Sequence, residues 1–229
     1  MKASSIYMKL VVRKNPENGK NFIQEMIKKN IKPDEFILTI WMKAYCDRGE
    51  SAKAEEILRN LEKYHFSRNH VNKVAYQMLI GAFAREGKMK DSLRLLKEMK
   101  TNGFSPDLFI YNILINAFMK ERDLKSVVEI FNQMILDWIQ PDTITYNSLI
   151  NGYAKKGDMN NAMKVFNQMI LDGIIPNTIT YSSLINGYAK KGDLNNAIKL
   201  LDQMKLNGIK PNTVTYSSLI NGYAKKGDV

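Results

Sequence analysis

One repeat constrains this chain more than any other feature. The stretch TYSSLINGYAKKGDLNNAIKLLDQMKLNGIKPN, Thr180 to Asn212, follows a near copy, TYNSLINGYAKKGDMNNAMKVFNQMILDGIIPN, Thr145 to Asn177, and a third copy begins at Thr215. Tyr146, Tyr181 and Tyr216 stand 35 residues apart, and so do Pro141, Pro176 and Pro211. A period between roughly 20 and 50 residues marks a stacked architecture, because one unit cannot bury its apolar face without neighbours.

Each unit reads as two helices. Tyr181, Leu184, Ile185 and Tyr188 recur at the spacing of one helical face. Lys190 and Lys191 suit a helix C-terminus, and Gly192 ends that helix. Asp193 is placed to cap the second helix, whose apolar face is Ala197, Leu200, Leu201 and Met204. Gly208 closes it, and Pro211 blocks its continuation. No run alternates with period two, so no strand is expected.

The length of 229 residues suits one solenoid or one globular domain. Lys and Arg number 34 against 23 Asp and Glu, a formal charge of +11. That balance favours a polyanionic partner, although Lys-rich and ribosome-associated proteins share it. The single cysteine, Cys46, excludes an internal disulfide, fits a reducing compartment and reads as small packing in a first helix. No apolar run is long enough to span a membrane.

The earlier copies are worn. Residues 1–34 form a degenerate one: SSIYMKLVVRKN from Ser4 overlays SSLINGYAKKGD from Ser182, and Met26 and Pro33 take the repeat's Met and Pro. This basic start, free of acid until Glu17, also resembles a transit peptide, but the repeat register accounts for it better. Residues 35–72 are a diverged copy with Leu38 in place of Tyr and extra residues around HFSRNHVN, which lacks the usual Gly and Pro. His65 and His70 there have no Cys or acidic partners for a metal and read as an exposed connector. Full copies occupy 73–107, 108–142, 143–177 and 178–212. In 108–142, Arg122 and Trp138 fill the glycine places, so those turns either close differently or hold a side chain in the left-handed region. Trp138 could instead cover an apolar junction. Residues 213–229 are half a copy. The inward face of Tyr216, Leu219, Ile220 and Tyr223 has no second helix over it, as expected of a piece of a longer array or an end that meets a partner.

The pattern TYxxLIxGYxKxGxxxxAxxxxxxMxxxGxxPx resembles the pentatricopeptide repeat in its P-type form over almost the whole chain, most specifically from Thr145 to Asp228. The rival tetratricopeptide repeat has a period of about 34 and a Trp, Leu-Gly, Tyr pattern that is absent here. The resemblance implies an all-α fold, a right-handed superhelical solenoid of helix-turn-helix repeats continuous over residues 1–229. It implies a groove lined by the first helices that takes single-stranded RNA, one base per repeat, in a mitochondrion or plastid. No segment resembles the deaminase-like or nuclease domains that some members append.

Three residue classes could carry binding, and each has a plainer role beside it. The residue after the repeat's Pro is Asp107, Asp142, Asn177 or Asn212, with Asn72 at the same place; these types are also good helix N-caps. The residue after the repeat's Tyr is Gln77, Asn112, Asn147, Ser182 or Ser217, with Thr39 in the diverged copy; a polar residue in a first turn is usually just solvated. Two residues before the Tyr stand Phe36, Val74, Phe109, Ile144, Ile179 and Val214, which could staple onto the helix below. The resemblance implies that the apolar class wedges between bases while the two polar classes read base edges. Arg85, Lys120, Lys155, Lys190 and Lys225 recur near first-helix ends, where they would meet phosphates or serve only as helix-end cations; Asp47 departs from that pattern.

Hydrogen-bond chemistry gives an expected sequence. An Asn amide donates to the ring nitrogen of A or C, whereas an ionised Asp accepts from the ring N–H of G or U. Ser or Thr leaves room for a purine, and Asn reaches toward a pyrimidine; this agrees with the pairing rules of the family. Thr39 with Asn72 then reads A, Gln77 with Asp107 G or U, Asn112 with Asp142 U, Asn147 with Asn177 C or U, and Ser182 with Asn212 A. The family polarity gives 5′-A-(G/U)-U-(C/U)-A-3′. The competing class is a protein-binding α-solenoid, for example a subunit of a mitochondrial ribosomal assembly, whose groove would tolerate irregular readers. No Ser/His/Asp or Cys/His set, phosphate-binding glycine loop or acidic metal pair is visible, so no enzymatic activity, cofactor, metal or small-molecule substrate is expected.

Overall fold

The structure, a computed structural model, describes residues 2–67 and 70–227; Met1, Asp228, Val229 and two connector residues, Arg68 and Asn69, lie outside the described residues. Among those described there are thirteen α-helices and no strand. In chain order they are α1 Lys2–Lys14, α2 Asn18–Lys28, α3 Glu35–Cys46, α4 Ser51–Arg59, α5 Lys73–Arg85, α6 Met89–Thr101, α7 Leu108–Lys120, α8 Leu124–Leu136, α9 Thr143–Lys156, α10 Met159–Leu171, α11 Thr178–Lys190, α12 Leu194–Leu206 and α13 Thr213–Lys226. Each pair from α1/α2 to α11/α12 is one copy of the repeat. A 3-10 turn at Glu62–Tyr64 follows α4 and absorbs part of the insertion in the diverged copy. The helices group into two compact units, Met1–Ala117 and Phe118–Val229, divided within α7.

In the first unit α3 packs on α1 and α5, while α2, α4 and α6 each pair with the first helix of their own repeat. The degenerate copy fits through one exchange of volume: Trp41 fills the space beside Gly19 and donates its indole N–H to the Pro16 carbonyl at 2.8 Å. The second helices are tied by ions. Arg59 of α4 reaches Glu55 and, at 2.7 Å, Glu98 of α6, and Arg94 of α6 reaches back to Glu55 at 2.8 Å.

In the second unit α11 packs between α9 and α13, with α10 and α12 behind. The repeat's Tyr explains the hairpin. Tyr146 and Tyr181 are fully buried, and each hydroxyl reaches the residue that ends its own second helix: Tyr146 donates to Asp172, and Asn207 donates to Tyr181 at 2.7 Å. The ring edge meets the preceding repeat, Phe131 on Tyr146 and Phe166 on Tyr181. One side chain thus fastens a hairpin and packs it on its predecessor. Neighbouring first helices also approach closely at a helix-interior glycine. A Cβ on Gly187 would stand 2.9 Å from the Ala154 Cβ, and one on Gly222 would stand 2.9 Å from the Ala189 Cβ.

The turns close as the repeat requires. Gly192 has φ +77° and Asp193 accepts from the Asn196 amide, capping α12. Arg122 and Trp138 adopt the same left-handed conformation, φ +61° and +59°, without glycine. Trp138 covers no apolar junction: its ring is 89% exposed. His65, at the insertion, closes its turn in the same left-handed way.

Candidate nucleic-acid interface

The residue after the repeat's Pro is a helix cap in every copy where its side chain has a recorded bond. Asn72, Asp107, Asn177 and Asn212 accept from the third or neighbouring amide of the helix that follows, at 3.0–3.2 Å. Asp142 does so at 2.8 Å. In the last three, Thr145, Thr180 and Thr215 return the bond to the cap's own backbone N–H, completing a capping box. Capping and base reading are compatible. For Asn177 and Asn212 the cap consumes the side-chain oxygen, which leaves the amide nitrogen without a partner among the described residues and both side chains exposed. The cap therefore settles which end of the amide a ligand meets, and that end is a donor.

The structure brings the two polar classes together. Asn147 donates to the Asn177 oxygen at 3.3 Å and accepts from the Thr180 hydroxyl at 2.6 Å. Gln77 donates to Asp107 at 2.6 Å. Ser182 reaches Asn212 through one intermediary: its hydroxyl lies 2.7 Å from that of Thr215, which bonds Asn212 at 3.1 Å. Thr39 behaves differently, donating to the Glu35 carbonyl of its own helix at 2.8 Å. Ser182 corrects the sequence reading. It is not a solvated groove residue but 6% exposed, because α13, the first helix of the next repeat, lays Thr215 against it. Ser217, at the same place in α13, is exposed.

The apolar class stands outward. Phe36, Val74, Phe109, Ile144, Ile179 and Val214 are 49–64% exposed, so none is stapled into the core. In sequence each lies three residues, about one helical turn, before the polar residue of its own first helix. Arg85, Lys120, Lys155, Lys190 and Lys225 are exposed at the C-terminal ends of first helices, with no ion pair to a carboxylate among the described residues. Among the cations that do pair, Arg59 and Arg94 belong to second helices and Lys73 to a first helix.

Two features escaped the sequence reading. The capping-box threonines are fully buried, and Thr180 and Thr215 carry bonds between repeats; their signal was a Thr three residues after each cap. Lys73, which opens α5, forms an ion pair with Asp107 at 2.8 Å, and its signal was a charge where later copies have Leu or Thr. Burial of the Asp107 carboxyl opposes its ionisation, yet Lys73 and the Ile110 amide together hold it below its ordinary value. Among the described residues no three or more His, Cys, Asp or Glu side chains are grouped to hold a metal, and no helix is long and apolar enough to cross a membrane.

Known proteins match along most of the chain. The PPR repeat family model covers residues 141–190 and 176–225, the pentatricopeptide repeat domain model 69–121 and 94–151, and the PPR repeat model 36–66. A chloroplastic pentatricopeptide repeat-containing protein of Arabidopsis thaliana is 31% identical over 87 residues, 38% of this chain and 11% of that protein. The maize pentatricopeptide repeat protein PPR10, solved in complex with an 18-nt psaJ RNA element, is similar with a TM-score of 0.74 and 26% identity over 96% of this chain and 32% of its own. The PPR domain of A. thaliana protein-only RNase P 1, solved in complex with tRNA, gives a TM-score of 0.55 at 24% identity over 65% of this chain and 79% of its own. The chain spans 11% of the Arabidopsis protein and 32% of PPR10.

Proposed function

The chain belongs to the pentatricopeptide repeat family, with the all-α solenoid fold of that family, and we propose that it binds single-stranded RNA sequence-selectively, one base per repeat. One observation carries the reading: the caps Asn177 and Asn212 each leave an amide donor facing outward, two residues before an exposed apolar side chain, Ile179 or Val214. An apolar wedge tolerates any base because every base has a flat face, while a fixed donor or acceptor distinguishes base edges. Thr39 with Asn72, Gln77 with Asp107, Asn112 with Asp142, Asn147 with Asn177 and Ser182 with Asn212 are the reading pairs, and Ser217 opens the next. The row from Phe36 to Val214 supplies the wedges. Arg85, Lys120, Lys155, Lys190 and Lys225 meet phosphates.

Reading the copies as one array over residues 1–229 gives 5′-A-(G/U)-U-(C/U)-A-3′. The module acts by occupancy, shielding RNA, opening its structure or guiding processing and translation, and catalyses no reaction of its own. RNA in the solved complexes of PPR10 and RNase P 1 supports this, and the chloroplastic Arabidopsis relative supports an organellar site, mitochondrion or plastid. A protein contact is favoured at α13. Tyr216, Ile220 and Tyr223 of α13 are 47%, 66% and 36% exposed, and they fit a further helical hairpin or a protein partner. Selection of bound RNAs from a random pool tests the main reading. Enrichment of the expected five bases supports it; a pool that emerges without a shared motif defeats it.

A further inference from the structure

From the Lys73–Asp107 ion pair we infer that the residue opening each first helix is a third specificity-determining position, and that Lys73 blunts the base preference of its own repeat. The inference rests on the RNA-reading role proposed above. Asp107 is expected to select G or U by accepting their ring N–H. In the structure its acceptors are already engaged. Oδ1 takes the Ile110 amide at 3.2 Å, and Oδ2 takes both Gln77 at 2.6 Å and the Lys73 ammonium at 2.8 Å. A base N–H must compete with a charge-assisted bond for that oxygen, whereas the ring nitrogen of A or C can accept one of the ammonium's remaining hydrogens. Both changes lower the difference between G or U and A or C.

The same geometry recurs one repeat earlier with the signs exchanged. Glu35 opens α3, and Asn72 donates to its carboxylate at 3.5 Å. An acid thus faces the amide reader and a base faces the carboxylate reader. Later copies place Leu108, Thr143, Thr178 and Thr213 there, none of which carries a charge. The sequence of the first unit therefore holds a means of setting selectivity that the last three copies lack.

The test uses the full chain, synthetic RNAs carrying 5′-A-N-U-C-A-3′ with each base at N, and three variants. Lys73→Thr copies the later repeats, Lys73→Arg retains the charge, and Asn212→Asp alters a different repeat. Lys73→Thr is expected to raise the preference for G or U over A or C at N by about tenfold, the size of one discriminating base contact. Lys73→Arg should keep the parent ratio. A melting curve superimposable on the parent's shows that the fold is intact, as expected for a side chain 40% exposed. If Lys73→Thr weakens all four RNAs equally, the lysine serves phosphate alone and the inference is wrong, provided that Asn212→Asp still changes the last base. If no variant or parent distinguishes bases at any repeat, the RNA reading falls and takes this inference with it.

Discussion

The hydroxyls of Ser182 and Thr215 lie 2.7 Å apart in a buried contact between one repeat and the next. Ser182→Ala removes that bond but leaves Thr215 bonded to Asn212, so the loss should be about 1 kcal/mol. Leu184→Ala, at a fully buried site, should cost roughly 2 to 5 kcal/mol. Urea unfolding of both variants checks the order. Equal losses would mean that the two side chains are equally built into the core.

Asn212→Asp keeps the cap, since either side chain accepts from the Thr215 amide, but it replaces the outward donor by an acceptor. The preferred last base should move from A to G by about 1 to 3 kcal/mol. Competition between two oligonucleotides that differ only there decides it. A variant that weakens both alike would reduce Asn212 to a helix cap.

Salt dependence reports the cations. Each of Lys120, Lys155, Lys190 and Lys225 that meets a phosphate adds about −0.7 to the slope of log K against log salt. Replacing one by Ala should flatten the slope by that amount and weaken every RNA similarly. A parent-like slope would place that lysine away from the backbone of the RNA.

Acid should loosen the first unit's second helices. The Arg59 hydrogen bond, opposed in part by burial, holds the Glu98 carboxyl below its ordinary value. A folded value below the unfolded one means stability that is present at neutral pH and lost as the pH falls through the folded value. Arg59→Ala should therefore unfold at higher pH than the parent on acid titration, while the two converge at pH values low enough to protonate Glu98 in both.

Cys46 offers a readout of unfolding. It is 3% exposed, and burial pushes its thiol up to about 12, with Arg85 only partly offsetting this. At pH 8 the thiolate is about one part in ten thousand, against roughly a quarter for an ordinary cysteine. Alkylation should be slow in the native protein and become fast in urea. Rapid native labelling would show that α3 opens far below the global unfolding free energy.

The helices were legible because the pattern that buries Tyr181, Leu184 and Ile185 is also the pattern that repeats. Gly192 and Asp193 announced their turn, whereas at Arg122 and Trp138 register left a different closure and a left-handed side chain both open, and the backbone takes the second. What the sequence concealed was contact between copies. Periodicity assigns a residue to a face of its own helix; it does not say what the next helix brings. Ser182 reads as exposed on its own helix and is buried only because Thr215 arrives from another one. Lys73 and Asp107 lie at opposite ends of one repeat, so no local pattern pairs them.

The helix-interior glycines act as a gauge. At Gly187 and Gly222 the first helices of adjacent repeats stand so close that a methyl group would already press on Ala154 and Ala189. That approach sets the step between neighbouring first helices, and with it the step between the proposed readers. An RNA strand can stretch only so far between nucleotides, and a mismatch in step accumulates with every base engaged. A chain with Gly187→Val would resemble a ruler with one stretched division: short RNAs lying wholly on one side would be measured correctly, and only those crossing the widened step would lose their register.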